Sequence, residues 1–154
     1  TLSSSSAASD VYKRQFLTSG SRPAIFSKTQ RKRGGKVLGK NIVKPRRNEI
    51  YMAKLPVNGT SVQRGRRPVL IVQNDVGNRY SSTTIIIPMT GRTKKALPTH
   101  VRIGTDSGLS RCSTLLCEQM MTIGIELLQG KIGEVTEPET LAKIDRAIRC
   151  SLAL

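Results

Sequence analysis

The 154-residue chain has no tryptophan, one histidine, and aromatics at only 3% of its residues. Each shortage closes a class of function. A pair of histidines cannot do acid–base work, because His100 stands alone. Tyr51 and Tyr80 are the only aromatics beyond Phe26, so the stacked rings of an RRM or cold-shock surface are missing. Cys112, Cys117 and Cys150 are odd in number and contain no CxxC pair, which excludes a disulfide framework and points to the cytoplasm. Cys117 in "LLCEQ" and Cys150 near the C-terminus read as buried, inert thiols. No metal is expected, since no carboxylate cluster accompanies His100. No cofactor is expected either: "GRTKK" is not a phosphate loop, and there is no GxSxG elbow. No apolar run approaches the ~20 residues of a membrane span. "TTIIIPM" (83–89) has the length of a core strand.

Acidic residues are also scarce: 10 against 26 Lys and Arg, a net charge of +16. Residues 1–47 hold twelve of the cations and a single acid, Asp10, for +11. Residues 48–154 hold fourteen cations and nine acids, for +5. The opening "TLSSSSAASDVYKRQ" is Ser-rich and low in complexity, and "RKRGGK" (31–36) is a charge run. Residues 1–41 are therefore expected to be a disordered or artefactual basic tail. A transit peptide or a nucleic-acid-binding arm are the rival readings. Residues 42–154 form the expected domain, moderately cationic and suited to a polyanion.

Within it the texture is that of β structure. "EIYMAKL" (49–55) alternates, placing Ile50, Met52 and Leu55 inward. "RPVLIVQN" (67–74) and "STTIIIPMT" (82–90) are continuous apolar runs, hence central strands covered on both faces. "DVGNRYSS" reads as a turn, "THVRI" as a short strand, and "CSTLLCEQMMTI" as one or two strands. "PVNGTSVQRGR" (56–66) is a loop longer than a hairpin needs, and long loops on a rigid scaffold often carry function. At the end, Thr136 and Glu139 have the spacing of a capping box. Leu141, Ile144, Ile148 and Leu152 then follow one helical face. The expectation is a mainly β, compact barrel-like sheet of five to seven strands closed by a C-terminal amphipathic helix.

The chemistry concentrates at "QRGRRPVLIVQND", where Arg67 leads without a spacer into Pro68 and a core strand. A basic surface with one rigid arginine and several hydroxyls suits metal-free RNA cleavage. There the substrate's own 2′-OH attacks the adjacent phosphate, and the protein supplies proton transfer and charge stabilisation. A guanidinium fork can grip two phosphoryl oxygens, and a threonine hydroxyl can add a third bond. From the residues alone a second reading stays open: Arg67 caps its strand through a salt bridge. His100, at a strand start in "LPTHV", reads as loop-ordering rather than catalytic.

"RPVLIVQNDVGNRYSSTTIIIPMT", then "KKALPTHVRI" and "LLCEQMMTI", resembles the MazF/PemK family of bacterial toxin endoribonucleases, over about Val43 to Leu154. The resemblance implies an SH3-like barrel of the MazF/CcdB type, a homodimer, and metal-independent, sequence-specific cutting of single-stranded RNA in the bacterial cytoplasm. It also implies an antitoxin partner whose acidic, disordered segment covers the cationic groove. The family's essential arginine, in its G-x-R-P stretch, falls on Arg67 of "GRRP"; its essential threonine falls on Thr90 of "IIPMT". RNA contacts of relatives fall on Ser61, Gln63 and Gln119. Asn48-Glu49 stands where relatives have Gly-Asp, and Met121 where many have arginine. The alternative from another class is a CcdB-like toxin that poisons DNA gyrase without nuclease chemistry.

Overall fold

A computed structural model describes residues 44–57 and 61–154; the expected tail lies outside the described residues. Seven strands are hydrogen-bonded antiparallel: β1 (Glu49–Leu55), β2 (Gly65–Ile71), β3 (Thr83–Thr90), β4 (His100–Ile103), β5 (Ser113–Leu116), β6 (Met121–Gly124) and β7 (Leu128–Glu134). They run in the order β4-β5-β3-β2-β1-β7, and β6 pairs with β3 off that path. The mainly β class with a C-terminal helix is as the sequence indicated. The barrel-like sheet is open, with β4 and β7 as its ends among the described residues.

β1 departs from the simple alternation. Ile50 faces one core with Leu70, Ile87, Met89 and Ile144, while Tyr51, Ala53 and Leu55 face a second core with Val69, Ile71 and Ile86. Met52, expected inward, is only half-buried. The strand is covered on both faces because β1, β2 and β3 form the middle of a coiled sheet, so alternate residues enter alternate cores.

β3 contains Pro88, a residue that cannot donate to a ladder. Residues Thr83–Ile86 pair with β6, whereas Met89 and Thr90 pair with β5. Pro88 sits where one neighbour hands over to the other, so its missing N–H costs no bond there. The last residues of β3 are thereby turned toward β5, and Thr90 ends the strand.

"DVGNRY", read as a turn, is a six-residue helix, α1 (Asp75–Tyr80). The Asn74 side chain caps it by accepting the Gly77 N–H at 2.7 Å. Buried Asn78 ties it to the sheet, accepting from the Thr84 hydroxyl at 2.7 Å and donating to the Gln73 carbonyl at 3.1 Å. The terminal helix, α2 (Pro138–Leu152), starts one residue later than a Thr136 cap requires. Glu137 is the N-cap, and no side-chain capping bond forms. The capping box fails because Glu139 is engaged one turn on by Lys143 at 2.7 Å, and the Thr140 hydroxyl bonds Glu137 instead. Ile144 and Ala147 are buried against the sheet with Leu141 and Ile148 beside them, whereas Leu152 is 49% exposed.

Candidate active site

Gly65 opens β2 in the left-handed region at φ 74, a conformation cheap only for glycine. It bends the loop so that the chain enters the strand with Arg67 half-buried. The strand therefore begins two residues before Arg67, which lies inside it opposite Ala53 of β1. Arg67 Nε donates to the Arg64 carbonyl at 2.8 Å; Nη1 donates to the Gln63 side-chain oxygen and, at 3.5 Å, to the Met89 carbonyl. No carboxylate pairs with it among the described residues, so the strand-capping salt bridge is not formed. Both N–H groups of Nη2 stay uncommitted there. Burial, and then the charge of Arg92, lower the Arg67 pKa below that of an ordinary arginine.

β2 and β3 pair as far as Val69↔Pro88, and beyond that pair Arg67 reaches β3 through Nη1 and the Met89 carbonyl, next to Thr90. Thr90 is 5% exposed, and its hydroxyl oxygen accepts the Arg92 N–H at 3.3 Å.

The three residues expected to contact RNA are joined to this arginine. Gln119, in the 3-10 turn Cys117–Gln119 between β5 and β6, accepts the Gln63 N–H at 2.9 Å and donates to the Ser61 carbonyl at 3.4 Å. Gln63 then reaches Arg67. Ser61, Gln63, Gln119 and Arg67 thus form one hydrogen-bonded set drawn from two stretches far apart in sequence. Arg66, one residue along the strand, points the other way and donates to Gln129 of β7 at 2.7 Å.

Two further arginines stand at the site without any signal in the sequence. Arg92 lies close enough to act on the charge of Arg67. Arg111 lies flat against Gly91, just after Thr90: a methyl added at Gly91 would meet Arg111 Cζ at 2.6 Å. With exposed Lys94 and Lys95 in loop 91–98 they make an open cationic rim, a form suited to a strand of phosphates.

The thiols divide. Cys117 is buried, and burial followed by the Glu118 charge pushes its pKa up to about 12, so it is inert at neutral pH. Cys150, expected to be buried, is exposed. It lies off the Ile144–Ala147 face of α2 and lines a groove of about 500 Å³ with Leu97, His100, Arg102 and Arg146. Among the described residues no three His, Cys, Asp or Glu side chains converge as a metal site would need.

Residues 46–152 match the sequence model of the PemK-like, MazF-like toxins of type II toxin–antitoxin systems. Endoribonuclease EndoA of Bacillus subtilis (strain 168) is 46% identical over 112 residues, 71% of this chain and 95% of that protein. An endoribonuclease from Mycobacterial species superposes with a TM-score of 0.60 at 28% identity, covering 75% of this chain and 97% of its own. A mycobacterial endoribonuclease solved in complex with its cognate antitoxin gives 0.60 at 30% identity, with 71% and 96% covered.

Proposed function

The chain belongs to the PemK-like, MazF-like toxin family, and on that premise we propose that it is a sequence-specific endoribonuclease that cuts single-stranded RNA without a metal ion. The observation that carries this reading is Arg67: a cation held by three protein acceptors, free of any carboxylate among the described residues, with Nη2 unspent. A guanidinium that only capped a strand would be expected to find an acid. One that awaits a phosphate keeps part of its fork open.

In the proposed reaction the 2′-oxygen attacks the adjacent phosphorus as its proton passes to water. The P–O5′ bond breaks and O5′ takes up a proton, so the products are a 2′,3′-cyclic phosphate and a 5′-hydroxyl. Arg67 grips the non-bridging oxygens through Nη2, stabilises the charge that builds on them, and takes part in proton transfer; its lowered pKa makes it a better donor than a solvated arginine. Thr90 donates its hydroxyl to the same phosphate. Ser61, Gln63 and Gln119 bind the flanking nucleotides and fix Arg67 through the bond from Gln63.

The same reading gives the partners and setting. An antitoxin with an acidic, disordered segment covers the cationic rim, the toxin acts as a homodimer, and it works in the bacterial cytoplasm. Supporting this are the +5 charge of residues 48–154 and the resemblance to a toxin solved with its antitoxin. No helix among the described residues is long and apolar enough to cross a membrane.

The test is incubation of the purified chain with single-stranded RNA in EDTA, beside Arg67→Ala. Wild type is expected to cut and the variant to lose at least ~10²-fold of the rate. Equal, intact RNA in both lanes, with DNA gyrase trapped on DNA instead, would establish the CcdB-like alternative. Cutting that requires magnesium would overturn the metal-free mechanism alone.

A further inference from the structure

The ring of His100 is held between two acceptors. Nδ1 lies 2.9 Å from the Lys95 carbonyl oxygen, and Nε2 lies 2.9 Å from Glu118 Oε1. A carbonyl cannot donate, and neither can an ionised carboxylate, so a ring that satisfies both carries both protons. Glu118 is the ionised partner. Burial alone would raise its carboxyl, but its own backbone N–H, the His100 ring and the Thr99 hydroxyl hold it below the usual range. The His100 side chain is 9% exposed, so water cannot readily replace either bond.

What this clasp joins gives it a role. Lys95 belongs to loop 91–98, the exposed basic segment that follows Thr90. Glu118 precedes Gln119, which holds Gln63, which in turn bonds Arg67. Hydrogen bonds and one peptide step thus run unbroken from the basic loop to the arginine fork. We propose that doubly protonated His100 is a positioning residue for cleavage, clamping loop 91–98 to the Gln119 turn so that RNA meets both at a fixed separation. This inference rests on the endoribonuclease reading above.

The charges around the ring set the conditions. Glu118 favours the second proton. Arg102 of β4 and Lys143 and Arg146 of α2, which share the groove with His100, oppose it, as Lys95 does through its charge; the Cys150 thiol also faces that groove. Lys143 is partly neutralised by Glu139 at 2.7 Å. The clasp opens when the ring loses its second proton, because Nε2 would then face the Glu118 carboxylate with no hydrogen between them. It opens on the acid side only below the ordinary carboxylate range, because the Glu118 pKa is lowered.

The experiment measures kcat and KM of the full chain on a short single-stranded RNA spanning one mapped cut site, across about pH 5 to 8. For wild type, KM should be lowest where the ring keeps both protons and rise once one is lost. His100→Gln, which cannot ionise, should show a KM raised by about tenfold at the acid end and flat with pH, converging on wild type at the alkaline end. Glu118→Gln keeps the histidine and should raise KM similarly, so it carries the test if His100→Gln does not fold. A His100→Gln enzyme with wild-type KM and a wild-type pH profile overturns the inference. If wild type cuts no RNA at any pH, it is the endoribonuclease reading that fails, and the clasp's role falls with it.

Discussion

The two ends of the β1–β2 pair treat positive charge in opposite ways. At the Glu49 end the buried acid has its cation, and two exposed acids are paired beside it. Lys131 of β7 bonds Glu49 at 2.8 Å and Glu134 at 3.0 Å, the Tyr51 hydroxyl adds a bond to Glu49 at 3.0 Å, and Arg47 reaches Asp145 at 3.1 Å. At the Arg67 end, Arg92 acts on the charge of Arg67, and neither they nor Arg64 and Arg111 form an ion pair among the described residues. Like charges gathered without acids oppose folding, so their arrangement is explained by a ligand rather than by stability. Charge that serves the fold is matched within the chain; under the proposed function, the unmatched charge is left for RNA.

The largest way to break this contrast is Arg67→Lys. Lysine keeps the charge but loses Nε, which holds Arg64, and the planar fork that presents Nη2. Cleavage should fall by about 10²- to 10³-fold in kcat/KM, close to Arg67→Ala, while the urea midpoint stays put or rises slightly. Retention of activity within tenfold would mean that a bare positive charge is sufficient, and the fork argument would be lost.

The opposite end responds in stability, not activity. Glu49 is 7% exposed, and burial raises its carboxyl; the Lys131 ammonium, the Arg46 N–H and the Tyr51 hydroxyl outweigh this, and its pKa is lowered. A carboxyl whose folded pKa lies below its unfolded value contributes stability at neutral pH that is lost as pH falls through the folded value. Glu49→Gln should therefore cost about 1–3 kcal/mol at pH 7 by chemical unfolding. The gap to wild type should close as pH drops below about 4. RNA cleavage per folded molecule should not change. A gap that persisted in acid would show that packing, not charge, is what Glu49 contributes.

How much of this contrast could be read in the sequence depends on distance along the chain. The long apolar strands were legible because "RPVLIV" and "TTIIIPMT" admit little else, whereas the roles proposed for Arg67 and Thr90 came from the family resemblance and not from the residues alone. α1 was not, because Gly77 in its middle and its six-residue length give a turn's signature; its Asn74 cap and the Asn78–Thr84 bond are tertiary facts. The Thr136–Glu139 spacing misled because Lys143 competes for the same carboxylate. Cys150 misled because a helix position near the apolar face need not lie on it. Arg111 left no trace at all: it reaches Thr90's neighbour only through the β3–β5 pairing, which spacing does not reveal.

Gly91 offers the smallest and most discriminating change. A methyl there would press on the Arg111 guanidinium, with Cζ at 2.6 Å and Nη2 at 2.7 Å. These atoms are the far end of a flexible side chain, so Arg111 can swing aside and the fold should lose no more than about 0.5 kcal/mol. RNA should nevertheless bind a few-fold more weakly, with the slope of log affinity against log salt reduced by about one, as when a single phosphate contact is lost. Arg111→Ala should give the same reduction in slope, and the double variant should add nothing to either. If Gly91→Ala weakens binding while Arg111→Ala does not, the backbone beside Thr90 makes the contact itself. The unpaired cluster would then be one arginine smaller than its geometry suggests.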